Sequence, residues 1–207
     1  MDQSQGTHSI KALPRGLSAA AQQRRLRFLT DYKQSLHDVL QSVALAVLVW
    51  GPALDIDTPV AKKRWEIRTK LEENGHFSMF SEELDDGNDP LDQILAESKG
   101  LLLKALQQAK YADFLILLLD KSAGGVIAEL TICERRDIAA KVFVLVPEIF
   151  RNTFVHRAAI ATIEGGNGAV YWYTDDEVTS CNVLTMAVQR VEQRRLLYAY
   201  ERAMVER

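Results

Sequence analysis

The sequence predicts an α/β protein built around a parallel β-sheet. Three short segments, 43–50, 114–119 and 142–146, consist almost entirely of apolar residues, many of them β-branched. Uninterrupted runs of this length are typical of strands that are buried on both faces of a sheet. Helical patterns lie between them, and regular alternation of strands with helices favours a parallel sheet that is covered by helices on both faces.

The first part of the chain lies outside this predicted sheet. Residues 1–17 are polar and interrupted by glycine and proline, which predicts a flexible tail. Over 18–40, apolar residues recur every three or four positions, which predicts a helix that precedes the first strand. The predicted organisation is therefore a tail over 1–17, a helical extension over 18–42 and an α/β domain over 43–207.

The remaining elements alternate along the chain. Thr58 is a residue type that caps helices, and Pro59 suits a first helical turn. Further strands are expected at 77–80 and 170–173, with an acidic loop between them at 81–89. Helices are expected over 59–73, 89–108, 126–136 and 153–163, and a long terminal helix runs from about 174 to 206. We expect the strand order 2-1-3-4-5 of the flavodoxin-like arrangement, which makes strands 1 and 3 neighbours at the switch point.

Composition and missing motifs exclude several classes of protein. The net charge of the 207-residue chain is −3, which gives no indication of nucleic-acid binding. Two cysteines without a CxxC motif and four scattered histidines predict neither a disulfide scaffold nor a metal site, and no cofactor is expected. No signal peptide or membrane-length apolar run is seen, so a cytoplasmic protein is expected. The phosphate-binding and hydrolase motifs GxxxxGK[ST], GxGxxG and GxSxG are absent.

The candidate site residues follow strands 1 and 3. Parallel sheets bind ligands beyond the carboxyl ends of their strands, at the switch point. Glycine allows a ligand to approach the backbone closely, and a carboxylate in the first turn of the next helix lies beside the crevice. The candidates are Gly51, Pro52, Asp55, Asp120, Ser122, Gly124, Gly125 and Glu129.

These segments resemble the nucleoside 2-deoxyribosyltransferase family. The resemblance rests on the strand end Val49-Trp50-Gly51-Pro52 and on the stretch from Leu118 through Gly124-Gly125 to Glu129, and it extends over about residues 43–147. That family has a small doubly wound sheet, a Gly-Pro after its first strand and a Gly-x-x-x-Glu-type motif opening a later helix. The related TIR-type NAD hydrolases use a similar helix-borne glutamate. Lys121-Ser122-Ala123 stands where the family has an aspartate, and Val126 where it has a threonine.

The resemblance implies an N-glycosidase or ribosyltransferase that acts on a nucleoside, a nucleotide or NAD. Glu129 would be the nucleophile or would stabilise an oxocarbenium-like transition state. Asp55 and Asp120 would help the base leave or position the sugar, and Ser122 would bind a ribose hydroxyl or a phosphate. The same fold occurs in antiviral effectors that deplete nucleotides. The alternative is a nucleotide-binding sensor or regulatory subunit without turnover.

Apolar residues on the extension and on the terminal helix predict an interface. The extension has an apolar stripe but lies outside the predicted sheet core, and the terminal helix has more apolar residues than one packing seam requires. Both favour a homo-oligomer or a second protein as partner.

Overall fold

The computed structural model describes residues 18–84, 98–121 and 127–205. The chain divides into two compact units, Met1–Leu40 and Gln41–Arg207. Helix α1 (Ala19–Gln41), all but the last residue of which belongs to the first unit, occupies the span that the sequence predicted. The rings of Phe28 and Tyr32 stack on this helix with their centroids 6.4 Å apart. Among the described helices, none is long and apolar enough to cross a membrane.

The second unit contains one five-stranded sheet in which every strand is parallel to its neighbours. The order is β2-β1-β3-β4-β5, so the predicted flavodoxin-like α/β topology is confirmed. Strands β1 and β3 are adjacent, with Trp50 opposite Leu117, and this places the switch point where the sequence predicted it. The strands are β1 (Ala46–Trp50), β2 (Phe77–Phe80), β3 (Phe114–Leu118), β4 (Val142–Pro147) and β5 (Ala169–Tyr173).

Helices cover both faces of this sheet. Thr58 caps the first of them as predicted, because its hydroxyl accepts a hydrogen bond of 3.1 Å from the N–H of Ala61. The helix ends at Asn74 and Gly75, and Gly75 has a φ of 83° that favours glycine. The described helices are α2 (Pro59–Glu73), α3 (Ser98–Tyr111), α4 (Ile127–Cys133), α5 (Arg136–Ala139), α6 (Ala161–Gly165), α7 (Asp175–Thr179) and α8 (Asn182–Val205).

The structure corrects several predicted bounds. The helix expected over 126–136 is two helices, α4 and α5, and the expected terminal helix is interrupted between α7 and α8. The start of the predicted acidic loop is a 3₁₀-helix, Ser81–Leu84. A π-helical turn, His156–Ile160, precedes α6. Local spacing could not reveal these breaks because tertiary packing sets the angle at which each short helix lies.

Alternate residues along each strand point to opposite faces of the sheet, so the core has two layers, each covered by helices. Helices α3 to α6 lie on one face, where Trp50, Leu117 and Val144 pack in one cluster with Leu130 and Ile163. Helices α2, α7 and α8 pack together on the other face. All five residues of β3 are buried, as expected for the central strand of a doubly wound sheet.

We predict that Gly168→Ala destabilises the protein by about 1–3 kcal/mol. An added Cβ would lie 2.3 Å from Ile163 Cγ2 and 2.9 Å from the backbone oxygens of Ala139 and Ile163, so the turn before β5 must shift. Gly165→Ala is the matched control, since nothing lies within 4 Å of its Cβ position. Urea unfolding of both variants measures the difference, and equal stabilities would contradict this packing argument.

The C-terminal half of α8 leaves apolar side chains uncovered. Leu196, Leu197, Tyr200 and Met204 are 45%, 44%, 64% and 55% exposed. The interface expected from the sequence stays a prediction. We expect light scattering to give a mass above that of one chain, and Leu197→Glu to reduce it because a carboxylate opposes apolar burial. Glu201→Ala, on the same helix, is the control, and a monomer at every concentration would contradict the prediction.

Candidate functional site

The candidate site lies at the carboxyl ends of β1 and β3, on a framework provided by one arginine. Arg64 of α2 is fully buried. Its Nε and Nη2 donate to the carbonyl of Val49 at 3.1 and 2.8 Å, and Nη1 donates to the carbonyl of Pro52 at 2.9 Å. Nη1 and Nη2 also donate to the two carboxylate oxygens of Glu82, each at 2.7 Å. The guanidinium therefore joins α2, the end of β1 and the turn after β2.

Glu82 is the charged partner that makes this burial of Arg64 tolerable. A bidentate ion pair, in which a guanidinium donates two hydrogen bonds to the two oxygens of a carboxylate, is among the strongest in proteins. Burial raises the pKa of Glu82, but the hydrogen bonds and charge of Arg64 outweigh that effect and hold the pKa below its usual range. The guanidinium carbon of Arg64 also lies 4.6 Å from the centre of the Phe80 ring.

Gly51 is required where β1 leaves the sheet beside β3. An added Cβ would lie 2.9 Å from the carbonyl oxygen of Leu118 and 3.3 Å from Arg64 Cδ. A side chain would therefore push the turn after β1 away from β3 and from the arginine. This close approach gives Gly51 a packing role, and its predicted contact with a ligand stays a prediction.

Glu129 brings an unusual carboxyl group to the same edge of the sheet. It lies in the first turn of α4 and is half-buried. Burial raises the pKa of Glu129 to about 7, while the charge of Arg64 lowers it and the charge of Glu82 raises it. Both the protonated and the ionised carboxyl are therefore populated near neutral pH, which suits a group that exchanges protons or attacks as a nucleophile.

Asp120 belongs to a second cluster on the side of α2 and α7. Its carboxylate accepts a hydrogen bond of 2.6 Å from the N–H of Lys121, and Lys121 forms an ion pair with Asp175. The buried Tyr173 donates its hydroxyl to the carbonyl of Leu119. Burial, and then the charges of Asp120 and Asp175, raise the pKa of this tyrosine, so its hydroxyl stays protonated.

A pocket opens beside this second cluster. Its volume is about 340 Å³, within the range of small-molecule sites. The lining comes from the start of α2, the loop after β3, the end of β5 and α7. Its residues are Thr58, Pro59, Val60, Asp120, Lys121, Tyr173, Asp175, Val178 and Thr179.

Among the predicted site residues, Glu129 and Asp120 have different charged neighbours. The charges that act on Glu129 are those of Arg64 and Glu82, whereas Asp120 acts on Tyr173. Asp55 is exposed in the turn that precedes α2. Ser122, Gly124 and Gly125 lie outside the described residues. The catalytic and binding roles of all these residues stay predictions.

Sequence reasoning missed Arg64 and Glu82. Glu82 stood in a segment interpreted as a solvated acidic loop, and Arg64 was one of several cations on a helix with polar faces. A weak signal was present, since Arg64 stands three residues before Ile67 and four after Val60, the spacing of residues on one face of a helix. An arginine on the apolar face of a helix predicts an acidic partner, although not which one.

The described residues contain no candidate metal site, and comparison with known proteins assigns the chain to no family. Within the described ranges, no three histidine, cysteine, aspartate or glutamate side chains lie together in a way that could hold a metal ion. No protein-family model matches the chain, and no curated protein matches it significantly. The resemblance to the nucleoside 2-deoxyribosyltransferase family is therefore tested by neither comparison.

We predict that Glu129→Gln stabilises the fold at neutral and alkaline pH. The native pKa of about 7 lies above that of an unfolded glutamate. As the pH rises from about 4.5 to 7, the unfolded chain loses its proton first, and ionisation therefore favours unfolding. The variant removes this penalty of up to about 3 kcal/mol above pH 7 and changes little below pH 4.5. Urea unfolding at several pH values measures the difference.

Glu148→Gln is the control for this measurement. Glu148 is exposed and forms an ion pair of 2.8 Å with Arg151, so its removal should change stability by less than about 1 kcal/mol. A Glu129→Gln protein whose stability follows that of the wild type at every pH would show that Glu129 ionises normally.

Proposed function

We propose that this protein is an enzyme that cleaves or exchanges the bond between base and sugar in a nucleoside, a nucleotide or NAD. Glu129 is its catalytic carboxyl group. The observation that carries the proposal is the position of this half-buried carboxyl, with a pKa of about 7, at the carboxyl edge of the two switch-point strands. Ligands of doubly wound sheets bind at this edge.

The chemistry of the N-glycosidic bond suits a carboxylate at such a position. Its transition state has oxocarbenium character, so a nearby negative charge stabilises it. In the covalent route, a carboxylate oxygen of Glu129 bonds to the anomeric carbon as the carbon–nitrogen bond breaks. The base leaves with the bonding electron pair: the base of a nucleoside or nucleotide takes up a proton from solvent, whereas the nicotinamide of NAD leaves as a neutral molecule without one. Water or a second base then displaces the glutamate and restores the free carboxylate.

The neighbours of Glu129 support this role through their charges. Arg64 favours the ionised form that attacks carbon, whereas burial and Glu82 disfavour it. A carboxylate that is partly desolvated is less stabilised before reaction than one in water, and its charge acts more strongly on a developing cation. The pocket beside Asp120, which Glu129 does not line, has the volume of a small-molecule site and opens at the carboxyl ends of β3 and β5.

The alternative function is a nucleotide-binding module without turnover. The ion pair of Lys121 with Asp175 and the ring of Tyr173 give the pocket polar groups and an aromatic wall, which support this alternative. Tight ligand binding without release of free base would favour this alternative. Chromatography after incubation with NAD, deoxynucleosides and nucleotides distinguishes the two.

We predict that Glu129→Gln lowers the rate of base release by at least about 100-fold while ligand affinity changes far less. Glutamine keeps the size of the side chain but removes the charge that is needed in the transition state. The kcat/KM of the wild type should rise with pH through an apparent pKa near 7, since only the ionised carboxyl attacks. Base release measured by chromatography from pH 5 to 9 gives both quantities.

Glu148→Gln serves again as control and should retain the activity of the wild type. Near-normal turnover of Glu129→Gln would contradict the assignment and make Asp120 the next candidate. A wild-type rate that falls with rising pH would instead assign Glu129 as the acid that protonates the leaving base.

A further inference from the structure

We infer that helix α1 pairs in antiparallel orientation with α1 of a second copy of this chain. This pairing is independent of the proposed function, and its surface is distinct from the apolar face of α8. Two features of α1 support it: a row of exposed apolar side chains along one side of the helix, and an uneven distribution of charge along its length.

One side of α1 presents large apolar side chains to solvent. Leu26, Phe28, Leu29 and Tyr32 are 39% to 67% exposed. At 3.6 residues per turn these four positions, together with Val39 two turns after Tyr32, fall within about 160° of the helix circumference. A continuous apolar face of this width is typical of a helix that packs against another structural element.

This face requires a partner for energetic reasons. Of the α1 side chains that the structure describes, none is buried. Helices in proteins gain most of their stability from the packing of an apolar face, and a contiguous exposed patch of apolar side chains marks an interaction surface. A second helix laid along the apolar face would bury these side chains and would stabilise both helices.

The charges of α1 are divided unevenly between its two halves. Residues 19–29 include three arginines and no acidic residue, so this half has a charge of +3. Residues 30–41 include two aspartates and one lysine, so this half has a charge of −1 when His37 is neutral. The first turn has no acidic residue and the last turn has no basic one, so the side chains at the two ends of α1 do not offset its own dipole.

This distribution of charge selects both the orientation and the partner. In an antiparallel pair, the positive half of each helix lies beside the negative half of the other, and the opposite ends of the two dipoles are adjacent. In a parallel pair, the two positive halves would lie side by side and repel each other. Because the same residues supply both complementary halves, a second copy of α1 meets the requirement through a two-fold symmetric contact.

The first experiment measures the mass of the full chain by light scattering over a range of concentrations. We expect a dimer, and we expect Leu29→Glu to weaken self-association at least about tenfold, because a carboxylate would have to be buried in the pairing face. Gln23→Glu is the matched control, since it adds the same charge to the same half of α1 on its polar side, and it should associate like the wild type.

Three results of this experiment would overturn the inference. They are a monomer at every concentration, equal association of Leu29→Glu and Gln23→Glu, and a dimer that Leu197→Glu dissociates while Leu29→Glu does not. The last result would place the interface on α8.

The second experiment determines the orientation without altering the apolar face, so it also serves if Leu29→Glu does not fold. Spin labels are attached to Ser18→Cys in a chain whose exposed Cys181 is replaced by serine, while the buried Cys133 is kept. A helix of 23 residues is about 35 Å long. Antiparallel pairing therefore places the two labels of a dimer about 30–40 Å apart in pulsed electron paramagnetic resonance. A distance below about 20 Å, as expected for parallel helices, would overturn the inference.

Discussion

The burial of one arginine organises the carboxyl edge of this sheet. A guanidinium without water must find a partner for each of its donors and a counter-charge, because an unpaired buried cation costs several kcal/mol. Arg64 meets this requirement with two backbone carbonyls that flank Gly51 and with the carboxylate of Glu82. The positions of α2, of the turn after β1 and of the 3₁₀-helix after β2 therefore depend on one another.

The same arrangement explains why Glu129 has a raised pKa in place of a normal one. The charge of Arg64 acts on the pKa of Glu129. The N–H donors of Arg64 are occupied by other acceptors, so Arg64 donates no hydrogen bond to Glu129. Desolvation of the Glu129 carboxylate, which raises its pKa, therefore outweighs the attraction of Arg64, which lowers it. A half-buried carboxyl of this kind reduces stability at neutral pH, and such costs are typical of groups that are kept for chemistry.

A separate polar cluster around His76 lies at the amino ends of β1 and β2. His76 is buried, its Nδ1 accepts the N–H of Leu45 at 3.3 Å, and its Nε2 lies 3.1 Å from the carboxylate of Glu192 on α8. Arg195 of the same helix donates to the carbonyl of Asn74 at 3.0 Å. Burial lowers the pKa of His76, so the neutral ring that accepts the Leu45 N–H is favoured. Polar networks thus connect helices to both ends of β1 while the strand itself packs in apolar surroundings.

The sequence by itself determined the topology of this protein and the edge at which its candidate site lies. Continuous apolar runs such as that of β3, the cap at Thr58 and the Gly51-Pro52 exit are local signals, since each depends on the chemistry of neighbouring residues. The tertiary structure alone decided which charges meet there. Arg64 and Glu82 lie 18 residues apart on different elements, and Glu129 comes from a third element. Their grouping follows from the packing of helices on the two faces of the sheet, which local periodicity does not reveal.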